Sequence, residues 1–227
     1  MKIAVIYTGV TPELTRMVNE DLRRNFKGME IEIMNYQDST IINEAREHGF
    51  VTKQCVRRLV DLYERGVKDG ANILLNACSS VGDVAKLCKP IYAMMGVKLV
   101  RIDEDMAREA VRMGRRIGVI ATLRTTMEPT KRLLMDCARE MGREVELVEG
   151  LADGAFGLNE EQFTRTLIET GRKIRDKVDL LLFAQGSMAY AEQAVAEELG
   201  LPVLSSIRFG TAEARRMADE LAGEGVD

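Results

Sequence analysis

The chain alternates short apolar runs with longer segments in which apolar residues recur every three or four positions. Lys2–Tyr7 is an apolar, partly β-branched run closed by Thr8-Gly9, which predicts a strand and a turn. Thr11 or Pro12 opens a helix with Leu14, Met17, Val18 and Leu22 at helical spacing. Glu30–Met34 alternates as a more exposed strand. Phe50–Lys68 is a strongly amphipathic helix closed near Gly70. Ile73–Ala77 is apolar and bounded by polar residues, as a strand covered on both faces would be. Asp83–Met95 is a helical stretch interrupted by Pro90, Val97–Ile102 a strand, and Asp105–Met113 a helix closed by Gly114.

The series then restarts. Ile117–Ala121 predicts a strand, followed by a polar loop over Thr122–Thr126 and Glu128-Pro129. A helix over Thr130–Met141, a strand over Glu144–Val148, a loop over Gly150–Asn159 and a helix over Glu160–Lys177 follow. Leu180–Ala184 is a buried strand, Tyr190–Leu199 a helix, Leu201–Ser205 a strand and Thr211–Leu221 a last helix. The two series align. Ile3 matches Ile117 and Ile33 matches Leu147 at an offset of 114 (117 − 3, 147 − 33). Leu75 matches Leu182 and Cys78 matches Gln185 at 107 (182 − 75, 185 − 78), and Leu99 matches Val203 at 104 (203 − 99). The expectation is an α/β fold of two similar doubly wound lobes with parallel sheets, 1–105 plus 207–227 and 106–206. Any two doubly wound domains share this rhythm, so the pattern alone supports similar topology. Related by a pseudo-twofold axis, the lobes would enclose the active site in the cleft between them.

Ligands of open parallel sheets sit beyond the carboxyl ends of the strands. Asn76-Ala77-Cys78-Ser79-Ser80 closes one buried strand, so Cys78 would open onto such a crevice with two hydroxyls beside it. The alternative is an inert cysteine packed as a small hydrophobe. Gln185, with Gly186 and Ser187, occupies the matching place in the second series. Thr8 with Gly9, and Thr122 with Arg124, Thr125 and Thr126, end the first strand of each series. Hydroxyls and loop amides suit carboxylate oxygens. Threonine and serine are also common helix caps, a role open to Thr125 or Thr126. Arg101 and Arg208 end further predicted strands.

Composition narrows the function classes. With 46% hydrophobic residues among 227, the chain can bury a full core without a metal or disulfide staple. A net charge of -4 argues against a nucleic-acid surface, and no apolar run approaches a membrane span. Cys55, Cys78, Cys88 and Cys137 form no C-x-x-C pair, and His48 is the single histidine, so no metal site is indicated. The short apolar N-terminus reads as a strand rather than a signal peptide, which makes the cytoplasm the expected compartment. Cys55 and Cys137 fall on amphipathic helices and His48 beside a charged stretch, all with structural readings. Neither G-x-G-x-x-G nor G-x-x-x-x-G-K-[ST] occurs, which weighs against nucleotide binding.

N-A-C-S-S at Asn76–Ser80, I-G-V-I-A-T-L-R-T-T at Ile117–Thr126 and F-A-Q-G-S-M-A at Phe183–Ala189 together resemble the aspartate/glutamate racemase superfamily. That superfamily includes hydantoin racemases, maleate isomerases and arylmalonate decarboxylases, and the resemblance spans nearly the whole chain. It implies cofactor-independent chemistry on a small carboxylic acid, with two cysteines on opposite faces of the carbon next to a carboxylate, and suggests a homodimer. By resemblance Cys78 is the first-lobe cysteine. Thr8, Gly9, Asn76, Ser79, Ser80, Thr122, Thr125, Thr126, Gly186 and Ser187 would contact the substrate. The departure is Gln185, which stands where the second cysteine is expected; an amide has no useful pKa near neutrality. Proton transfer by Cys78 remains the expectation. A single-cysteine decarboxylase, a cis-trans isomerase, and a non-catalytic carboxylate-binding protein are the alternatives.

Overall fold

Strands distant in sequence pair side by side, and every pairing is parallel. The computed structural model describes residues 1–9, 11–155 and 158–224. These divide into two units, one within 1–102 with 207–224 and one within 103–206. The first contains β1 (Lys2–Tyr7), α1 (Pro12–Asn25), β2 (Glu32–Gln37), α2 (Ser39–His48), α3 (Lys53–Lys68), β3 (Ile73–Asn76), α4 (Gly82–Met94) and β4 (Lys98–Arg101). The second contains α5 (Glu104–Met113), β5 (Arg116–Ala121), α6 (Arg124–Glu140), β6 (Glu146–Leu151), α7 (Glu160–Arg172), β7 (Leu180–Phe183), α8 (Glu192–Leu199) and β8 (Val203–Leu204). The last helix, α9 (Ser206–Glu224), returns to the first unit.

The sheets have the orders β2-β1-β3-β4 and β6-β5-β7-β8, so the described residues form an α/β fold of two doubly wound parallel sheets. Their registers coincide. Ile3 lies opposite Ile33 and Ile73, and Ile117 lies opposite Leu147 and Leu180. The residue that leads into the third strand is used alike in both. Asn72 Oδ1 accepts the Lys2 N–H at 2.9 Å, and Asp179 Oδ2 accepts the Arg116 N–H at 2.8 Å. That backbone bond is the main reason the Asp179 carboxyl is held below the usual carboxylate range.

Local chemistry sets the helix ends. Thr11 accepts the Leu14 N–H ahead of Pro12, Thr52 accepts those of Gln54 and Cys55, and Asn159 accepts that of Gln162. Gly49 closes α2 in the left-handed region at φ 76°. Each sheet is covered by helices whose apolar faces meet it. Leu59, Leu62 and Tyr63 pack with Ala4, Ile6 and Leu74, while Leu167, Val195 and Leu199 pack with Ile120, Leu181 and Phe183. Among the described residues, no helix is long and apolar enough to cross a membrane.

Several boundaries differ from the sequence expectation. Helix α2 arises from a segment with no predicted element, nucleated by Asp38 accepting the Thr40 N–H at 2.9 Å. The polar Thr122–Thr126 stretch is largely helix, because α6 begins at Arg124 and runs through Pro129. Likewise α4 is continuous through Pro90, which is exposed and gives the helix no N–H. The predicted loop Gly150–Asn159 starts later, since β6 extends to Leu151; residues 156 and 157 lie outside the described residues. The 190–199 helix is α8 preceded by a tight turn of helix over Gly186–Ala191. Arg208 does not end a strand; it lies in α9, with its guanidinium over the Phe209 ring.

Helix α9 is held to the first unit by close backbone contact and a buried polar cluster. Thr211 Oγ1 donates to the buried Asp21 of α1 and accepts from Asn25 Nδ2 at 2.9 Å. One residue earlier, a Cβ on Gly210 would lie 2.6 Å from the Ile102 carbonyl oxygen. Backbone cannot retract as a side chain does, so Gly210→Ala must displace α9. The expected cost is about 1–3 kcal/mol, read as a lower urea midpoint, with faster amide exchange in α9 than in β1.

Candidate active site

In a sheet of order β2-β1-β3-β4, the chain leaves β1 for one side and β3 for the other. The helices that follow these strands diverge, and the carboxyl ends of β1 and β3 flank the resulting crevice. The sequence places Thr8 at the first of these ends and Cys78 at the second. They meet: Thr8 Oγ1 donates to Cys78 Sγ at 2.7 Å. Thr8 is fully buried and Cys78 half-buried, so a rigid hydroxyl points at a sulfur that remains partly open. A donor on sulfur favours the thiolate over the thiol.

The backbone around Cys78 is anchored from below. Asn76, the last residue of β3, is fully buried, and its Nδ2 donates to the Cys78 carbonyl at 2.9 Å. Its Oδ1 accepts from the Tyr63 hydroxyl of α3, also at 2.9 Å. Burial pushes the Tyr63 hydroxyl well above its ordinary pKa, so Tyr63 stays a neutral donor. Both ends of the Asn76 amide are thus used within the protein. Ser79 and Ser80 follow in a tight helical turn, Ser79–Val81, and both are buried. Gly9 is exposed, and a Cβ there would lie 2.9 Å from Ile42 Cγ2.

A buried cation lies under the same turn. Arg101, the last residue of β4, is 1% exposed, and its Nη1 donates to Asp83 Oδ1 at 3.2 Å. Its guanidinium occupies the space where a side chain on Gly82 would stand, with Nε 2.3 Å from the Cβ position. Gly82 therefore lets the first turn of α4 settle onto Arg101. Arg101 ends its strand as the sequence suggested, but its burial and the role of Tyr63 could not be read from the sequence. Tyr63 carries an ordinary core position on an amphipathic helix, and only the fold shows its hydroxyl reaching Asn76.

The second unit repeats the arrangement with different chemistry. Thr122 follows β5, and Gln185 stands two residues beyond β7, as Cys78 stands two beyond β3. The Thr122 N–H donates to Gln185 Oε1 at 2.8 Å, and Thr122 Oγ1 lies 3.0 Å from Oε1 and 2.7 Å from Nε2. Thr125 sits in the first turn of α6 with its hydroxyl oxygen buried and without a hydrogen-bond partner. Thr126 is buried, and neither it nor Thr125 caps α6, whose N-cap is Leu123 with no side-chain bond. Gly186 and Ser187 are half-buried at the start of the turn after Gln185.

The four cysteines are not equivalent. Cys55 and Cys137 are buried in the core, and Cys55 Sγ donates to the Ile41 carbonyl. Cys88 on α4 is half-buried, and burial pushes its thiol pKa up, which leaves less thiolate at neutral pH. His48 is exposed at the end of α2. Among the described residues, no group of three or more His, Cys, Asp or Glu side chains could hold a metal ion.

Comparison with known proteins bears on the fold and the family. The chain is similar in structure to the allantoin racemase from Klebsiella pneumoniae, with a TM-score of 0.68 at 16% identity over 99% of this chain and 89% of that one. The glutamate racemase from Bacillus anthracis gives 0.71 at 16% identity, over 99% and 82%. The aspartate racemase from Picrophilus torridus gives 0.67 at 12% identity, over 97% and 94%. At such identities the likeness shows the fold. No curated protein matches the sequence. The sequence pattern described as Asp/Glu/Hydantoin racemase does match, over residues 3–214, and the chain belongs to that family.

Proposed function

We propose that this member of the family is a cofactor-independent isomerase in which Cys78 moves a proton at the carbon next to the carboxylate of a small acid. The family itself supports a racemase or related isomerase. The observation that carries the finer reading is the Thr8–Cys78 contact at the strand-order reversal. It joins a half-open sulfur to a buried donor where doubly wound sheets bind their ligands. Ser79 and Ser80 are the hydroxyls nearest the thiol along the chain, and in this reading they hold the carboxylate while Thr8 donates to the sulfur.

Gln185 favours a second reading beside it. Its amide is tied to Thr122 by both its oxygen and its nitrogen, and it neither takes nor gives a proton near neutrality. A single thiol suffices to protonate the enediolate left by decarboxylation. As thiolate it can also add to a carbon–carbon double bond, allow rotation about the resulting single bond and leave again, a cis-trans isomerisation.

Two measurements test these readings. At neutral pH, iodoacetamide is expected to alkylate Cys78 ahead of Cys55, Cys88 and Cys137, as located by peptide mass spectrometry. Thr8→Val is expected to slow that labelling by roughly threefold to tenfold. Proton NMR in deuterium oxide, with aspartate, glutamate, hydantoins, maleate and substituted malonates, then compares the wild type with Cys78→Ala. Cysteine-dependent deuterium entry with inversion establishes a racemase and requires a second base other than Gln185. Loss of carbon dioxide or a shifted double bond establishes the single-cysteine chemistry. Equal melting shifts with a carboxylate in both proteins, without turnover, would replace catalysis by ligand binding.

A further inference from the structure

The two units part after their second strand. In the second unit β6 ends at Leu151 and α7 begins at Glu160, and the described residues between them form no helix. In the first unit the chain between β2 and α3 folds into α2. This added helix is firmly held. Its inner side, with Ile41 and Ala45, joins the core cluster against which Cys78 also packs. Arg58 of α3 donates to Thr40 Oγ1 at 3.0 Å and, one turn further along α2, to Glu44; Thr52 donates to Glu44 as well. The side chain that α2 presents to the strand ends is apolar. Ile42 is half-buried and reaches Gly9 so closely that a Cβ there would lie 2.9 Å from its Cγ2. Gly9 is exposed and follows Thr8, whose hydroxyl touches the Cys78 sulfur. A branched apolar side chain therefore stands at the open side of the strand end that carries the Thr8–Cys78 pair.

We infer that α2 is a specificity wall, with Ile42 its contact residue, and that this chain takes small acids whose second substituent is compact and apolar rather than a second carboxylate. The inference rests on the reading that Cys78 works on a small carboxylic acid. An alkyl group set against Ile42 gains close contact. A carboxylate set there gives up water and receives no hydrogen bond in return. Selection of this kind works as much by the unfavourable pairing as by the favourable one. The bonds from Arg58 and Thr52 serve it by keeping α2 in place, since a wall that swings aside discriminates poorly. Gly9 serves it too, because any side chain at that position would push Ile42 away from the Thr8 strand end.

Protection of Cys78 against iodoacetamide, followed by peptide mass spectrometry, tests the wall without a known substrate. The probes are 2-methylbutyrate and methylsuccinate, which share one carboxylate and differ by a methyl against a second carboxylate. The wild-type chain is expected to be half-protected at a 2-methylbutyrate concentration lower than that of methylsuccinate by roughly threefold to tenfold. Ile42→Ala is expected to narrow that preference and Ile42→Lys to reverse it, with the circular dichroism spectrum unchanged. Glu47→Lys places the same cation at an exposed position about 140° round α2 and is expected to leave the order as it was. A preference that survives Ile42→Lys would overturn the wall. So would a wild type that holds methylsuccinate as well or better, which would give the choice to Arg46, one turn along α2. Failure of the underlying reading looks different: neither acid then protects Cys78, and the wall falls with it.

Discussion

The parallel pairing of β1 with β3 is the constraint on which the candidate site depends. Because β2 and β4 lie on the outer flanks of that pair, the chain must depart in opposite directions from the two central strands. At the place they leave, groups 70 residues apart in sequence can touch beside an open crevice. Thr8 and Cys78 do touch, and the packing of the central strands holds the geometry. A buried hydroxyl has few conformations left to lose, so its contact with sulfur adds little further ordering cost. The support beneath it is of the same kind: Tyr63 holds Asn76, and Asn76 holds the Cys78 carbonyl.

The second unit shows how far one backbone plan can be kept while its chemistry changes. The register of its central strands is the same, and so is the acceptor that ties the third strand to the start of the first. The threonine that touches the tip residue recurs as well. The tip residue itself is a thiol in one unit and an amide in the other. Packing sets the strand register and the two threonines, which are buried and hydrogen-bonded, so that losing one leaves a polar group without a partner. The tip side chain is only partly buried, which leaves it freer to differ. Helix α2, added after β2, is a second divergence.

What the sequence determined by itself was the alternation of elements and the positions that repeat. Strand cores such as Ile73–Asn76 and Leu180–Phe183 are short apolar runs, and their register follows from a hydrophobic spacing visible within a few residues. The place of Cys78 beyond its strand was legible for the same reason, and the N-A-C-S-S stretch pointed to the family. Element ends were less legible. Proline reads as a breaker, yet α4 and α6 run through Pro90 and Pro129, because one lost bond is outweighed by the apolar face each helix buries. Only the tertiary structure decided which hydroxyl touches the sulfur, that Asn76 spends its amide inside the protein, and that Arg101 is buried against Gly82. It alone decided that Ile42 of α2 packs against Gly9. Those outcomes depend on contacts between segments far apart in the chain, for which periodicity carries no signal.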